Sequence, residues 1–394
     1  MSGGNKKEPK LPYQLETYLH PGLLAKKNLE FEMKLGLLID KMSFRKPDIG
    51  IEEGKNKFVQ SYPDNCRFES QVEYRVFRSL NKLLNKFCKD GVGTKTPLGV
   101  FRKYSRMLCM DAVFKSETGD PVRVSYDLHG SEPPIAVTKE PLPPLLIVWA
   151  GQNQLDIRVS AAYEHPADVP VVASSAATSS STEKTKEEGK KEPGDGEEGE
   201  EKKPPSIDSV RVKSRITYQF DYYQVDVTTV FAYPDISSED GKALTSNCDF
   251  RAKLKKGDAV RVFRSSRQEW LPCVVDSVTE KCIVVKFEDN STKQLARFGP
   301  ELEKKDHDVL PEVRYEVEVE LLPDILTEEE SRKRILWKWL QCILLLRSHA
   351  MRPSYTPQQV AALQGRPRTG EKRSRSHHST TTSSNKRGKG EGES

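Results

Sequence analysis

Two stretches near opposite ends of the chain carry ionisable groups at every second position: LEFEMKLG at 29–36 and YEVEVEL at 315–321. A β-strand points alternate side chains to opposite faces. Glu30, Glu32 and Lys34 therefore share one face of the first strand, and Glu316, Glu318 and Glu320 share one face of the second. Three like charges on a strand face repel unless a cation or basic neighbours offset them. A third stretch, VRVKSRITYQF at 210–220, sets Arg211, Lys213, Arg215 and Thr217 on one face. Singly, each pattern also fits a strand that is polar towards water. Turned into one closed sheet, the acidic faces would suit a hard divalent cation and the basic face a polyanion beside it, which is the equipment of phosphate chemistry.

The rest of the chain supplies elements to position these faces. The spacing of Val72, Val76, Leu80, Leu83, Leu84 and Phe87 predicts a helix over 72–87, closed by KDG. Short alternating strands follow in RKYSRMLCMDAVF, PVRVSYDL, PIAVTKE and, after a proline-rich bend, LDIRVSAAYEHP. Several such strands separated by turns indicate a sandwich or barrel. After the last acidic strand, LTEEESRKRILWKWLQCILLLRSHAM reads as a helix apolar round most of its circumference, with Thr327 and Glu330 as a capping box. Such a helix belongs beneath the sheet or in a dimer interface.

Two segments interrupt this pattern. Residues 171–206 turn abruptly to Ser, Thr, Glu, Lys, Gly and Pro, and lack the apolar side chains needed to offset the entropy of ordering. They read as a disordered loop between two strands of one domain. Residues 249–302 hold four short strands and read as an inserted SH3-like barrel, small enough to need packing on the larger domain. The expected organisation is thus a disordered start (1–10), a main domain (11–248 and 303–350), the insert (249–302) and a disordered basic tail (351–394).

Composition narrows the function classes. Of 394 residues 31% are charged and 36% hydrophobic, a low apolar share that disordered segments would explain. The net charge is +5, and the tail from Arg366 onward alone carries eight Lys/Arg against three Glu, so the remainder is formally neutral. A basic binding surface must then arise by segregation of charge. No apolar run reaches the length that spans a membrane, and the amino terminus has no hydrophobic leader segment. Seven cysteines without a C-x-x-C pair, and histidines without ligand spacing, support neither a zinc site nor a disulfide framework, so a reducing compartment is expected.

In order, LEFEMKLG, VRVSYDL, DIRVSAAYEHP, VRVKSRITYQF, YQVDVTTV and YEVEVEL resemble the motifs of the fungal-type RNA 5′-triphosphatases of mRNA capping, members of the triphosphate tunnel metalloenzymes. The E-x-E-x-K strand is shared with polyphosphatases, thiamine triphosphatases and class IV cyclases. The R-x-K-x-R strand, followed by D-V-T and E-x-E-x-E, is more specific to the capping branch. The resemblance implies an α+β, mainly β fold: a closed eight-stranded antiparallel barrel forming a tunnel, with supporting helices. It implies Mg²⁺ or Mn²⁺ held by Glu30, Glu32 and Glu320, with Glu318 orienting or deprotonating the attacking water. Arg123, Lys139, Lys213 and Arg215 would bind phosphate oxygens, with Arg158 either a further wall cation or a surface residue. Glu164 and Asp226 would hold those cations, Glu316 would support the basic wall through hydrogen bonds, and Lys34 and Thr228 would support the site.

The implied reaction removes the γ-phosphate of 5′-triphosphate RNA, with free nucleoside triphosphates as further implied substrates; the implied partners are the mRNA guanylyltransferase and the transcription machinery, and the implied location is the nucleus, which the basic tail suits. The family's long amino-terminal docking region has no counterpart before the first strand here, which puts that mode of guanylyltransferase contact in question. In the insert, Phe263, Trp270, Phe287 and Asn290 fall where Tudor domains place an aromatic cage for methylated peptides; the same rings equally suit a small packed core. Two other readings stand beside the capping one: a small-molecule triphosphatase or polyphosphatase on the same barrel, and a non-catalytic scaffold or methylated-ligand reader.

Overall fold

The computed structural model describes residues 12–20, 23, 28–115, 120–128, 132–170, 206–233, 248–305, 310–322, 325–326 and 329–352. The segments expected to be disordered, and Thr327 of the expected capping box, lie almost wholly outside these residues. In chain order the elements are helix α1 (Tyr13–Tyr18), β1 (Leu29–Asp40), β2 (Asn56–Gln60), β3 (Cys66–Glu69), helix α2 (Tyr74–Phe87), β4 (Lys95–Thr96), β5 (Gly99–Val100), β6 (Lys103–Lys115), β7 (Val122–Asp127), β8 (Ile135–Pro141), β9 (Leu145–Trp149) and β10 (Asp156–Pro166). Then follow β11 (Ser206–Gln219), β12 (Tyr223–Tyr233), helix α3 (Cys248–Lys253), β13 (Ala259–Arg264), β14 (Glu269–Val278), β15 (Cys282–Phe287), β16 (Thr292–Ala296), β17 (Leu302–Lys304), β18 (Glu312–Leu321) and helix α4 (Glu329–Ala350).

Eight of these strands close on themselves. The order β10–β8–β7–β6–β11–β12–β18–β1 returns to β10 through the β1–β10 ladder, and every pairing is antiparallel. The barrel is apolar outside and charged inside. On β1, Phe31, Met33 and Leu35 are buried in the largest core cluster, which lies outside the barrel and includes residues of α2 and α4. The intervening Glu30, Glu32 and Lys34 therefore turn to the lumen. Trp339 of α4 is fully buried there, and its indole N–H donates to the Val319 carbonyl at 2.9 Å, so its polar edge is satisfied.

The helix expected over 72–87 starts two residues later. Val72 is buried but lies ahead of the helix, and its N–H donates to the Tyr315 carbonyl on β18 at 2.9 Å. The buried stripe of α2 is Phe77, Leu80 and Leu84, with Val76 and Leu83 packed at its margin. The bend before β10 also contains a strand the alternation rule does not detect, LLIVW of β9. It is buried on both faces between β2 and β10, and so reads as a continuous apolar run.

The insert forms a five-stranded antiparallel sheet, β16–β15–β14–β13–β17, around its own apolar core of Val260, Val262, Val275, Ile283 and Val285. The fifth strand, β17, lies just beyond the expected boundary, and no β16–β17 ladder closes the sheet among the described residues. It docks on the large barrel through Phe263 and Trp270, whose rings each stand 6.1 Å from that of Phe231. Polar ties flank this contact. The Gln268 amide donates to the Tyr315 hydroxyl at 2.9 Å, and the Tyr233 hydroxyl donates to buried Glu303 at 2.9 Å.

Candidate active site

The acidic wall is set by register. Glu32 stands opposite Glu320 and Lys34 opposite Glu318 on the β1–β18 ladder. Lys34 Nζ lies 3.0 Å from Glu32 and 2.8 Å from Glu318. Burial alone would push the Glu318 carboxyl up, but Lys34 and Arg215 more than offset it and hold Glu318 well below the usual carboxylate range. Glu320 has the reverse fate. Burial, with the like charges of Glu30, Asp226 and Glu318, pushes it up to about 8, although Arg215 acts against them. The Gln224 amide donates to it at 3.1 Å. Glu30 is likewise raised by burial, despite its ion pair with Lys139.

The basic wall comes from β7, β8, β10 and β11. Arg215 Nη1 lies 3.3 Å from Asp226, which also accepts the Thr217 hydroxyl at 2.6 Å. Lys213 Nζ lies 2.6 Å from Asp111 on β6, where the Ser125 hydroxyl donates at 2.8 Å and Arg211 approaches to 3.8 Å. Glu164 holds two cations, Arg123 at 3.0 Å and Lys139 at 2.9 Å. Arg158 reaches Glu32 at 3.4 Å and stacks over the Phe68 ring, 5.4 Å from its centroid. Each arginine thus has one edge tied to a carboxylate. The Nε of Arg123, Arg158 and Arg215 are nevertheless buried without a hydrogen-bond partner, as is the Thr228 hydroxyl. Unpaired buried donors are rare in folded proteins, and three of the arginine Nε atoms in this state share the charged lumen, where they could serve anionic oxygens.

The family model for the mRNA capping enzyme, beta chain, matches residues 18–191. That stretch, somewhat under half of the chain, is similar to the mRNA-capping RNA triphosphatase family. The structure of the S. pombe Pct1 RNA triphosphatase in complex with the Spt5 CTD is similar to this chain at a TM-score of 0.50 and 16% identity, covering 86% of it and 94% of that one. The Pct1 structure without that peptide gives 0.48 and 17% over the same shares. A triclinic structure of the Mimivirus capping enzyme triphosphatase gives 0.35 and 13%, covering 86% of this chain and 96% of that one. Among curated proteins no sequence matches the chain.

The family match spans Glu30, Glu32, Lys34, Arg123, Lys139, Arg158 and Glu164 and ends before Lys213, Arg215, Asp226 and the Glu316–Glu318–Glu320 run. Barrel closure brings the second group to face the first. Glu316 departs from its expected part: among the described residues it makes no hydrogen bond, and it senses Lys34, Lys213 and Arg211 only through their charge. Thr228 stands opposite it on the β12–β18 ladder. Asp111, the partner of Lys213, went unnoticed in the sequence. Its signal was a single acid in an otherwise apolar strand, CMDAVF, in phase with Cys109 and Val113.

The aromatic cage of the insert does not assemble. Phe287 belongs to the insert's own core, whereas Phe263 and Trp270 leave the opposite side of the sheet to pack on Phe231, and Asn290 lies in a turn at φ 61°. Phe263 follows Val262, so the two side chains must point to opposite faces, one to each core.

Among the described residues no three acidic or imidazole side chains are already drawn together as a metal cluster. The donor chemistry of the acidic wall nevertheless fits a hard cation. Glu30, Glu32 and Glu320 offer oxygen only, lie on adjacent paired strands, and two of them are raised by burial and mutual repulsion that a divalent charge would relieve.

Proposed function

We propose that this protein is a metal-dependent RNA 5′-triphosphatase that removes the γ-phosphate of nascent RNA in the first step of capping. One observation carries the reading: a wall of crowded carboxyl groups faces a wall of cations, three of whose arginines keep Nε unpaired, inside one closed barrel. Glu30, Glu32 and Glu320 would hold Mg²⁺ or Mn²⁺, which when bound supplies charge neutralisation at the γ-phosphate. Arg123, Lys139, Arg158, Lys213 and Arg215 bind the phosphate oxygens, the arginines through their planar forks. Glu318, kept ionised by Lys34 and Arg215, is too weak a base to take a proton readily in the ground state, and serves to accept a hydrogen bond from the attacking water and aim it.

Nucleoside triphosphates present the same chain of phosphates and are substrates on this reading. On this reading the protein works in the nucleus, beside a guanylyltransferase and the transcription machinery; the similarity to a triphosphatase solved in complex with the Spt5 CTD supports the last of these.

Phosphate release from 5′-triphosphate RNA with Mg²⁺ or Mn²⁺, set against release from inorganic tripolyphosphate, tests the proposal. Glu32→Ala and Arg215→Ala are expected to lower turnover by about a hundredfold or more without loss of fold, read by thermal melting. Turnover of tripolyphosphate without turnover of RNA would assign the tunnel to small polyphosphates instead. Inertness on every triphosphate would leave a non-catalytic scaffold.

A further inference from the structure

Past the barrel, β1 runs into a tight turn that holds an aromatic ring in solvent. Phe44 is 67% exposed and Met42 82%, and Lys41 and Arg45 on either side are exposed as well. Phe44 occupies the left-handed region at φ 56°, which a bulky residue adopts only where its surroundings impose it. Asp40 imposes it here. Its Oδ1 accepts the N–H groups of Met42 and Ser43 and the Ser43 hydroxyl, while its carbonyl accepts the Phe44 N–H. The Lys41 N–H donates to the Asn65 carbonyl at 2.7 Å and ties the turn to the start of β3. Burial explains none of this, because the ring gains little contact from being so placed.

One face of that ring is already occupied. The Arg67 guanidinium lies over it, 5.5 Å from the centroid, and leaves the other face open. Arg67 also pairs with Glu69 at 2.8 Å, and Glu69 is near enough to act on the charge of Arg314. Arg314 shares the lumen face of β18 with Glu316. Because β1 runs antiparallel to β18, and β18 antiparallel to β12, which is antiparallel to β11, the end of β1 lies at the mouth where β11 and β18 begin. Arg211 and Glu312 stand nearest that mouth, and Arg314, one step further in, pairs with Glu312. Guanidinium groups, each with a carboxylate partner, thus stand at the mouth, Arg211 with Asp111 and Arg314 with Glu312, and beside the ring, Arg67 with Glu69.

We propose that Phe44, backed by Arg67, is a stacking platform for a nucleobase at the 5′ end of the RNA, outside the mouth where the basic wall ends. Cations interleaved with an exposed, rigidly held aromatic ring are the equipment of single-strand recognition, and stacking on such a ring is tolerant of sequence. The inference rests on RNA being the substrate, and it adds a contact that a bare polyphosphate cannot make.

The test compares wild type, Phe44→Ala and Phe44→Trp on triphosphate-ended RNA and on inorganic tripolyphosphate. Phe44→Ala is expected to raise KM for RNA by about tenfold with kcat little changed, to leave tripolyphosphate turnover unaltered, and to be rescued by Phe44→Trp. Binding of an RNA with 2-aminopurine as its first base should quench fluorescence in wild type and Phe44→Trp but not in Phe44→Ala. Unchanged KM and unchanged quenching in Phe44→Ala, with wild type active on RNA, would overturn the platform alone and leave Phe44 as an anchor for a protein partner. An equal defect on tripolyphosphate would make its role structural. Wild type inactive on RNA but active on tripolyphosphate would remove the substrate reading and this one together.

Discussion

Lys34 and Glu318 stand opposite one another on adjacent strands and meet at 2.8 Å inside the barrel. Burial opposes the charge on Glu318, and Lys34 is the largest influence restoring it. Replacing Lys34 with Met removes that support, so the Glu318 carboxyl rises and the acid limb of the kcat/KM profile moves to higher pH. A profile on triphosphate RNA checks this; an acid limb unmoved in Lys34→Met would show that Glu318 is not the group being protonated.

Glu320 bears on cation binding. With its carboxyl pushed up to about 8 in the metal-free protein, it is mostly protonated at pH 7, and the proton must leave when a divalent ion is bound through it. Apparent affinity for Mn²⁺ therefore climbs as pH rises through about 8, and binding at pH 7 releases protons. Calorimetry in two buffers of different ionisation enthalpy gives the number released, expected to fall in Glu320→Gln. Equal enthalpies in both buffers would contradict the assignment.

Asp111 contributes to stability with a defined sign. Burial raises its carboxyl, but Lys213 and Ser125 overcome this and bring it from an ordinary 3.8 to about 2. A depressed carboxylate stabilises the fold above its unfolded value and loses that contribution as pH falls through the folded one. The difference in unfolding free energy between wild type and Asp111→Asn should reach about 2 kcal/mol near neutrality and shrink between about pH 4 and pH 2. A gap that stays constant across that window would mean that packing, not charge, is what the substitution removes.

Gly36 is required by space rather than by backbone angle. A Cβ placed on it would sit 2.1 Å from the Glu69 carbonyl oxygen and 2.6 Å from the Phe68 ring. Gly36→Ala must therefore displace β3 and with it the ring that backs Arg158. A loss of several kcal/mol is expected by chemical denaturation, at or beyond the upper end of overpacking costs. Phe68→Ala should relieve part of that loss in the double variant, and strict additivity would argue against the shared cause.

The charged lumen was legible because a polar interior imposes period two on β1, β11 and β18, and like charges in phase have few other uses. Asp111 escaped because one acid in an apolar strand carries no period, although its pairing with Lys213 is as close as any in the wall. β9 escaped because a strand covered on both faces does not alternate. The cage was misjudged for a related reason. Phe263 and Val262 are adjacent and both buried, which requires a sheet lying between two cores, and the second core belongs to residues of β6, β11 and β12 that are remote in the sequence.

The seam between β1 and β18 joins the beginning of the chain to its far end, and the carboxylates assigned to the cation lie on both sides of it. A chain emerging from the ribosome can assemble most of the basic side while the opposing ligands are still incomplete. Closure of the barrel is thus deferred until β18 has been made, and a product lacking that strand would have an open sheet without Glu318 and Glu320.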